Sequence, residues 1–172
     1  HMQPHVRYLH GFGSGPQSEK GAALGRALAG RCASFAVVDL EGGDFPGLTM
    51  ELMRDRAVAA CPHDGRTVLV GSSLGGCYAT HLAEKHRLRA VLVNPAVVAH
   101  IALEKFVGPQ QNLYSGERFD FTREHIAELR AIEVPRISRP ENFWLLVETG
   151  DEVLDYRQAV ARYAGARQTI IQ

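Results

Sequence analysis

A β-branched apolar run, Thr67-Val68-Leu69-Val70, passes directly into Gly71-Ser72-Ser73-Leu74-Gly75-Gly76 and then into the helical run Cys77 to His86. Strand, tight turn and helix in that succession restrict the fold, because a parallel sheet needs each strand to feed a crossover helix. In a G-x-S-x-G turn the central residue takes a strained backbone conformation, so the residues two positions to either side must lack a Cβ for strand and helix to pass. Gly71 and Gly75 meet that requirement. Ser73 is then expected to project from the top of a sheet at a helix N-terminus, where the partial positive charge favours an anion and the Leu74 N–H is the first donor to it.

The same alternation runs through the rest of the chain. Six β-rich runs are predicted as strands: Val6 to Leu9, Phe35 to Leu40, Thr67 to Val70, Ala90 to Asn94, Phe143 to Glu148 and Gln168 to Ile171. Between them, segments of helical period cover Ser18 to Arg31, Thr49 to Cys61, Gly75 to His86, Thr122 to Ile132 and Asp155 to Tyr163. Thr49 suits a helix start, and Gly30 and Gly165 stand where stops are expected. This is the pattern of an α/β three-layer sandwich, a mostly parallel sheet in the order 2-1-3-4-5-6 with helices on both faces. Residues 3–172 are expected to form a single domain. The stretch from Pro95 to Asn142 far exceeds the roughly two to six residues of a βα loop plus one helix, and is expected to form a short helical cap. His1-Met2 reads as the remnant of a cleaved tag.

Phosphate-binding readings of the two glycine turns fail on detail. Gly71 and Gly76 have P-loop spacing, but Cys77 and Tyr78 stand where Lys and Ser/Thr belong. The earlier turn His10-Gly11-Phe12-Gly13-Ser14-Gly15-Pro16 places Pro16, which has no N–H, at the third fingerprint position for a dinucleotide. That turn follows the first strand, and a His-Gly pair there serves another purpose. The residue after it commonly supplies a second oxyanion donor, which makes the Phe12 N–H the partner of Leu74, with His10 and Gly11 shaping the turn.

Charge bounds the partners. The 19 basic and 19 acidic residues cancel, and no Lys/Arg stripe could neutralise a run of phosphates, so nucleic acid is not expected. No apolar run reaches membrane-span length and no signal peptide opens the chain, which reads as soluble and cytoplasmic. Cys32, Cys61 and Cys77 are odd in number and widely spaced, fitting reduced, buried thiols better than a disulfide frame or zinc site.

A serine nucleophile needs a base, and the base needs a carboxylate to orient it. Asp151 is the first carboxylate past the strand Phe143 to Glu148. Asp155 is the second choice, better explained as the N-cap of the next helix. In this arrangement a histidine should follow the carboxylate along the chain, yet none of the eight histidines lies beyond His125. His10 is expected to orient its own turn. His81 and His86, five apart on one helix, lack the i, i+4 spacing of a zinc pair. His5, His63, His100 and His125 read as surface or loop residues. The base is therefore expected beyond Gln172. The alternative is a protein of the same fold that binds without turnover.

Tyr8-Leu9-His10-Gly11-Phe12, Gly71-Ser72-Ser73-Leu74-Gly75-Gly76, Val93-Asn94-Pro95-Ala96, Gln111-Asn112 with Tyr114-Ser115-Gly116-Glu117, and Thr149-Gly150-Asp151-Glu152-Val153-Leu154-Asp155-Tyr156-Arg157 together resemble the YqiA-type bacterial esterases. The resemblance runs over nearly the whole chain. It implies a small α/β-hydrolase that cleaves carboxylic esters or acyl thioesters without cofactor or metal. Ser73 and Asp151 match that family's nucleophile and acid, while the family's histidine segment, which follows the last strand, has no counterpart here. The insertion would form the acyl pocket, with Phe106, Leu113 and Tyr114 as walls. A peptidase on the same fold is a third possibility.

Overall fold

The computed structural model describes residues 3–43, 47–62, 65–151 and 155–172. The strands are β1 (His5–Leu9), β2 (Ser34–Val38), β3 (Thr67–Ser72), β4 (Arg89–Val93), β5 (Gly108–Gln111), β6 (Arg118–Phe121), β7 (Phe143–Glu148) and β8 (Arg167–Ile171). The helices are α1 (Glu19–Leu28), α2 (Met50–Ala59), α3 (Leu74–His86), α4 (Ala99–Ala102), α5 (Arg123–Ala131) and α6 (Tyr156–Arg162). Six strands form one parallel sheet in the order β2-β1-β3-β4-β7-β8, the order the sequence predicts once the insertion's two strands are set aside.

Period-two alternation assigns the two faces of that sheet. Leu9, Leu69, Leu92 and Leu145 point to one face and are fully buried in the main core under Met53 of α2, Leu74, Tyr78 and Leu82 of α3, and Tyr163 just past α6. Val6, Tyr8 and Val70 point to the other face, against Leu24 and Leu28 of α1. Among the described residues α1 is the only helix packed there. An apolar groove of about 710 Å³ stays open beside it, floored by Val68, Val91, Val93, Trp144 and Leu146.

Helix starts follow the sequence closely. Ser18, Thr49, Thr122 and Asp155 each occupy an N-cap and accept a backbone N–H through the side chain. Asp155 thus does what its N-cap reading predicts, and it also pairs with Arg157 at 3.1 Å.

The insertion departs from a purely helical cap. It contains α4, a 3₁₀ turn at Glu104–Phe106, the antiparallel hairpin β5–β6, and α5. β6 alternates Arg118-Phe119-Asp120-Phe121, burying both phenylalanines and exposing both charges, which is the half-buried strand pattern over only four residues. His125 also differs from its surface reading. It is buried in α5, where Nδ1 accepts the Thr122 N–H at 2.9 Å in a capping box and Nε2 donates to Leu48 O at 2.8 Å. With both ring nitrogens engaged, it is a structural histidine. His63, His1, Met2 and the run Glu152-Val153-Leu154 lie outside the described residues. Cys77 is buried and Cys32 and Cys61 half-buried, all three as free thiols.

Candidate active site

Ser73 sits between β3 and α3 at φ 54° and ψ −117°, a conformation a residue with a Cβ adopts only under constraint. The constraint is backbone crossing backbone. A Cβ added at Gly75 would strike the Leu9 carbonyl and stand 2.7 Å from His10 O; one at Gly71 would strike the Gly75 carbonyl and stand 2.7 Å from Gly76 Cα. Ser73 N–H donates to Val93 O at 3.2 Å, and its own carbonyl accepts Gly76 and Ala96 N–H groups at 3.0 and 2.9 Å. The strained residue is therefore tied on both sides.

Ser73 is formally the N-cap of α3, yet its side chain makes no capping hydrogen bond. Ser18, Thr49, Thr122 and Asp155, the other polar N-caps among the described α-helices, all do cap, whereas Val98 before α4 has no polar side chain to do so. The Ser73 hydroxyl is thus not spent on the first turn, and Leu74, at the first helical position, has no intrahelical acceptor for its N–H.

The His10–Ser14 turn lies against this serine. A Cβ built on Gly11 would stand 3.5 Å from Ser73 Cβ. His10 is 0 % exposed; Nδ1 donates to Gly11 O at 2.8 Å and Nε2 accepts Leu40 N–H at 3.0 Å, a neutral tautomer with both nitrogens used. It orients the turn, as its position suggests. Burial is the main cause that lowers its pKa, partly opposed by the bond to Gly11 O and the charge of Asp39. A histidine held neutral in the fold adds stability that is complete above its unfolded pKa of about 6.5 and is lost as pH falls through the lower folded value. His10→Asn is expected to cost about 1–3 kcal/mol by orphaning the Leu40 N–H. It should also flatten the acid-side loss of stability seen in urea midpoints between pH 7.5 and 5.5; an unchanged slope would exclude His10 as its source. His81, whose pKa is also lowered, first by burial and then by Arg54, adds to the slope that remains, and the raised carboxyls Glu41 and Glu133 oppose it.

Two residues outside the serine and His-Gly turns complete the support. Glu41, 1 % exposed, accepts the Gly13 N–H at 2.8 Å through Oε2 and an Asn112 Nδ2–H at 2.9 Å through Oε1. Asn112 also donates to Ser14 O and accepts the Tyr114 and Ser115 N–H groups through Oδ1. Burial raises the Glu41 pKa, and the two donors oppose that shift. An acidic residue at the carboxyl edge of a parallel sheet, three residues past the end of β2, is the one sequence signal for Glu41.

A cavity of about 210 Å³ opens on Ser73, lined by Phe12, Ala96, Leu103, Phe106, Gln110 and Leu113 among others. Phe12 meets Phe106, Phe119 and Phe121 at centroid distances of 6.0, 5.6 and 4.9 Å. Phe106 and Leu113 are thus walls, while Tyr114 is 45 % exposed and is not among the lining residues.

Asp151 follows β7 in the turn Thr149–Asp151, half-buried, with its N–H on Glu148 O at 3.3 Å. β4 separates β7 from β3, so Ser73 and Asp151 leave the same carboxyl edge two strands apart. Asn94, at φ 43°, bridges these strand ends by accepting the Glu148 N–H and donating to its carboxylate. Among the described residues no histidine hydrogen-bonds Ser73: His5 contacts Ser34, and His10 and His125 are engaged as above.

The fold is shared with solved structures over nearly all of this chain. Mouse alpha/beta hydrolase domain-containing protein 10 matches with TM-score 0.72 and 19 % identity, covering 98 % of this chain and 79 % of that one. Est1E from Butyrivibrio proteoclasticus with bound ferulic acid matches with TM-score 0.68 and 16 % identity, covering 99 % and 80 %. One of the metagenome-derived lipolytic enzymes LipS and LipT matches with TM-score 0.67 and 18 % identity, covering 99 % and 83 %. The fold is that of the α/β-hydrolases. A sequence model of the uncharacterised protein family UPF0227 matches residues 5–172, and the chain belongs to that family, the YqiA family whose motifs it carries.

Proposed function

We propose that the protein is a serine hydrolase that cleaves carboxylic esters or acyl thioesters through an acyl-enzyme. The observation that carries this reading is a serine held at φ 54° at a helix start with its hydroxyl withheld from capping. Strain of this kind persists where the surroundings over-determine it, and it places Oγ where a carbonyl carbon can be attacked. The tetrahedral oxyanion is held by the Phe12 and Leu74 N–H groups, Asp151 orients the base, and water releases the acid. Esterases and lipolytic enzymes among the structures of the same fold support the class.

The base is assigned to a histidine following β8. Thr149 N–H donates to Ile171 O at 2.9 Å, so the chain leaves β8 beside the turn that carries Asp151. A fluorophosphonate probe applied to the full-length protein is expected to form one adduct, on Ser73, and short acyl esters to be turned over. A chain without such a histidine should label about 10³-fold more slowly than one that carries it. An adduct on another residue, or no labelling of the full-length protein, would favour a binding protein without turnover. Competing ester and peptide substrates separate an esterase from a peptidase.

A further inference from the structure

We infer that Glu41 and Asn112 are positioning residues for the oxyanion hole, a buried carboxylate–amide bridge that locks the Phe12 turn to the wall of the acyl cavity. The inference rests on the hydrolase reading above.

The chemistry of the bridge explains the residue types. Gly13 N–H and Asn112 Nδ2–H are both donors, and both converge on Glu41, at 2.8 and 2.9 Å. A carboxylate accepts both, one on each oxygen; a glutamine in the same place would turn an NH₂ toward one of them. Asn112 cannot flip to compensate, since its Oδ1 already holds the Tyr114 and Ser115 N–H groups and its Nδ2 also serves Ser14 O. Glu41, in the loop after β2, joins two segments that lie 28 and 71 residues from it in sequence. One is the turn whose Phe12 N–H is the proposed donor. The other is the β5–β6 hairpin, which supplies Gln110, Gln111 and Leu113 to the cavity and whose Leu113 N–H donates to Gly13 O at 2.8 Å. Gly13, at φ +72°, has a conformation a glycine adopts freely, so its own backbone does not fix Phe12. The fixing comes from Glu41 on one side and Asn112 with Leu113 on the other. Oxyanion stabilisation depends on donors already in place before charge develops, so loosening this turn should weaken the transition state more than the bound ester.

The test uses full-length protein and kcat per Ser73 titrated with a fluorophosphonate, which removes any misfolded fraction from the comparison. Glu41→Gln and Asn112→Asp are each expected to lower kcat about 10- to 100-fold, with KM changed less than about threefold. Affinity for an alkyl boronic acid, a mimic of the tetrahedral intermediate, should fall in parallel. The double variant restores a donor–acceptor pair, because the new side-chain amide at position 41 donates its N–H to the new carboxylate at position 112 while its carbonyl oxygen keeps the Gly13 N–H. The carboxylate at position 112 has no N–H for Ser14 O, so the double variant should exceed Asn112→Asp without reaching the parent. A merely structural bridge would lower Tm and the titratable fraction but leave kcat per titrated serine within twofold of the parent, and that result overturns the inference alone. Failure of the parent itself to label or turn over overturns the hydrolase reading and this inference with it.

Discussion

Ser73→Gly is expected to abolish ester hydrolysis, lowering kcat by about 10⁴-fold or more, and at the same time to make the protein more stable. Loss of activity follows because the neighbouring hydroxyl cannot substitute: Ser72 is the last residue of β3 and is buried. The gain in stability follows from the backbone. At φ 54° and ψ −117° the serine Cβ is held in a region that costs about 1–3 kcal/mol, and glycine occupies it freely. Glycine's extra freedom in the unfolded chain offsets about 0.5–1 kcal/mol of that relief. A net gain near 1 kcal/mol corresponds to a Tm rise of about 2–4 °C for a chain of this size. Ser73→Ala supplies the control, since it removes the hydroxyl and keeps the Cβ: equal loss of activity with no rise in Tm. If both variants melt alike, the backbone strain at Ser73 is not a stability cost and its link to a nucleophile's role is lost.

The contrast between what can and cannot be read from the sequence follows from how local each constraint is. The elbow is legible because its requirements fall within five residues: two glycines, a serine, and the change from β-branched to helical period on either side. The six strands of the main sheet are legible for a related reason. Runs such as Phe143-Trp144-Leu145-Leu146-Val147 are buried on one face and half-buried on the other, and read as near-continuous apolar segments. β5 defeats that test. Gly108-Pro109-Gln110-Gln111 contains no large apolar side chain to alternate, and its pairing is set by its partner strand. His125 reads as a surface residue because a capping box usually carries Glu or Gln at its third position, and here an imidazole nitrogen takes that role. Glu41 and Asn112 escape altogether as a pair. Asn112 stands in one of the motifs of the resemblance and Glu41 in none, but nothing local says that each is there for the other, brought within 2.9 Å only when the insertion folds back over the sheet edge. The proposed triad divides along the same line. Nucleophile and acid follow from turns at strand ends, whereas the base is absent from the described neighbours of Ser73.

Gly75→Ala is expected to destabilise the fold by about 3–5 kcal/mol, a large part of the roughly 5–15 kcal/mol that holds a domain together. One added methyl does this because of what it meets. At Gly75 the new Cβ would strike the Leu9 carbonyl and come within 2.6 Å of Leu9 C and 2.7 Å of His10 O. These are backbone atoms at the end of β1, held in the sheet by β2 on one side and β3 on the other, so they cannot swing aside as a side-chain tip would. Relief requires α3 to lift from the sheet, and Leu74, Tyr78 and Leu82 would lift with it out of the main core. Gly150→Ala is the matched comparison: its Cβ meets nothing within 4 Å, so a change within about 0.5 kcal/mol is expected. Urea midpoints of the two variants measure the difference directly, and equal midpoints would show that the helix start can move away from β1 at little cost. The same contact links stability to chemistry. Leu9 leads into the His10–Ser14 turn and Gly75 follows Leu74, so the close approach that forbids a Cβ also bears on the spacing of the two proposed oxyanion donors, the Phe12 and Leu74 N–H groups. On the proposed reading, any Gly75→Ala protein that does fold should therefore lose catalysis per titrated serine as well, because the two proposed donors would be displaced from one another.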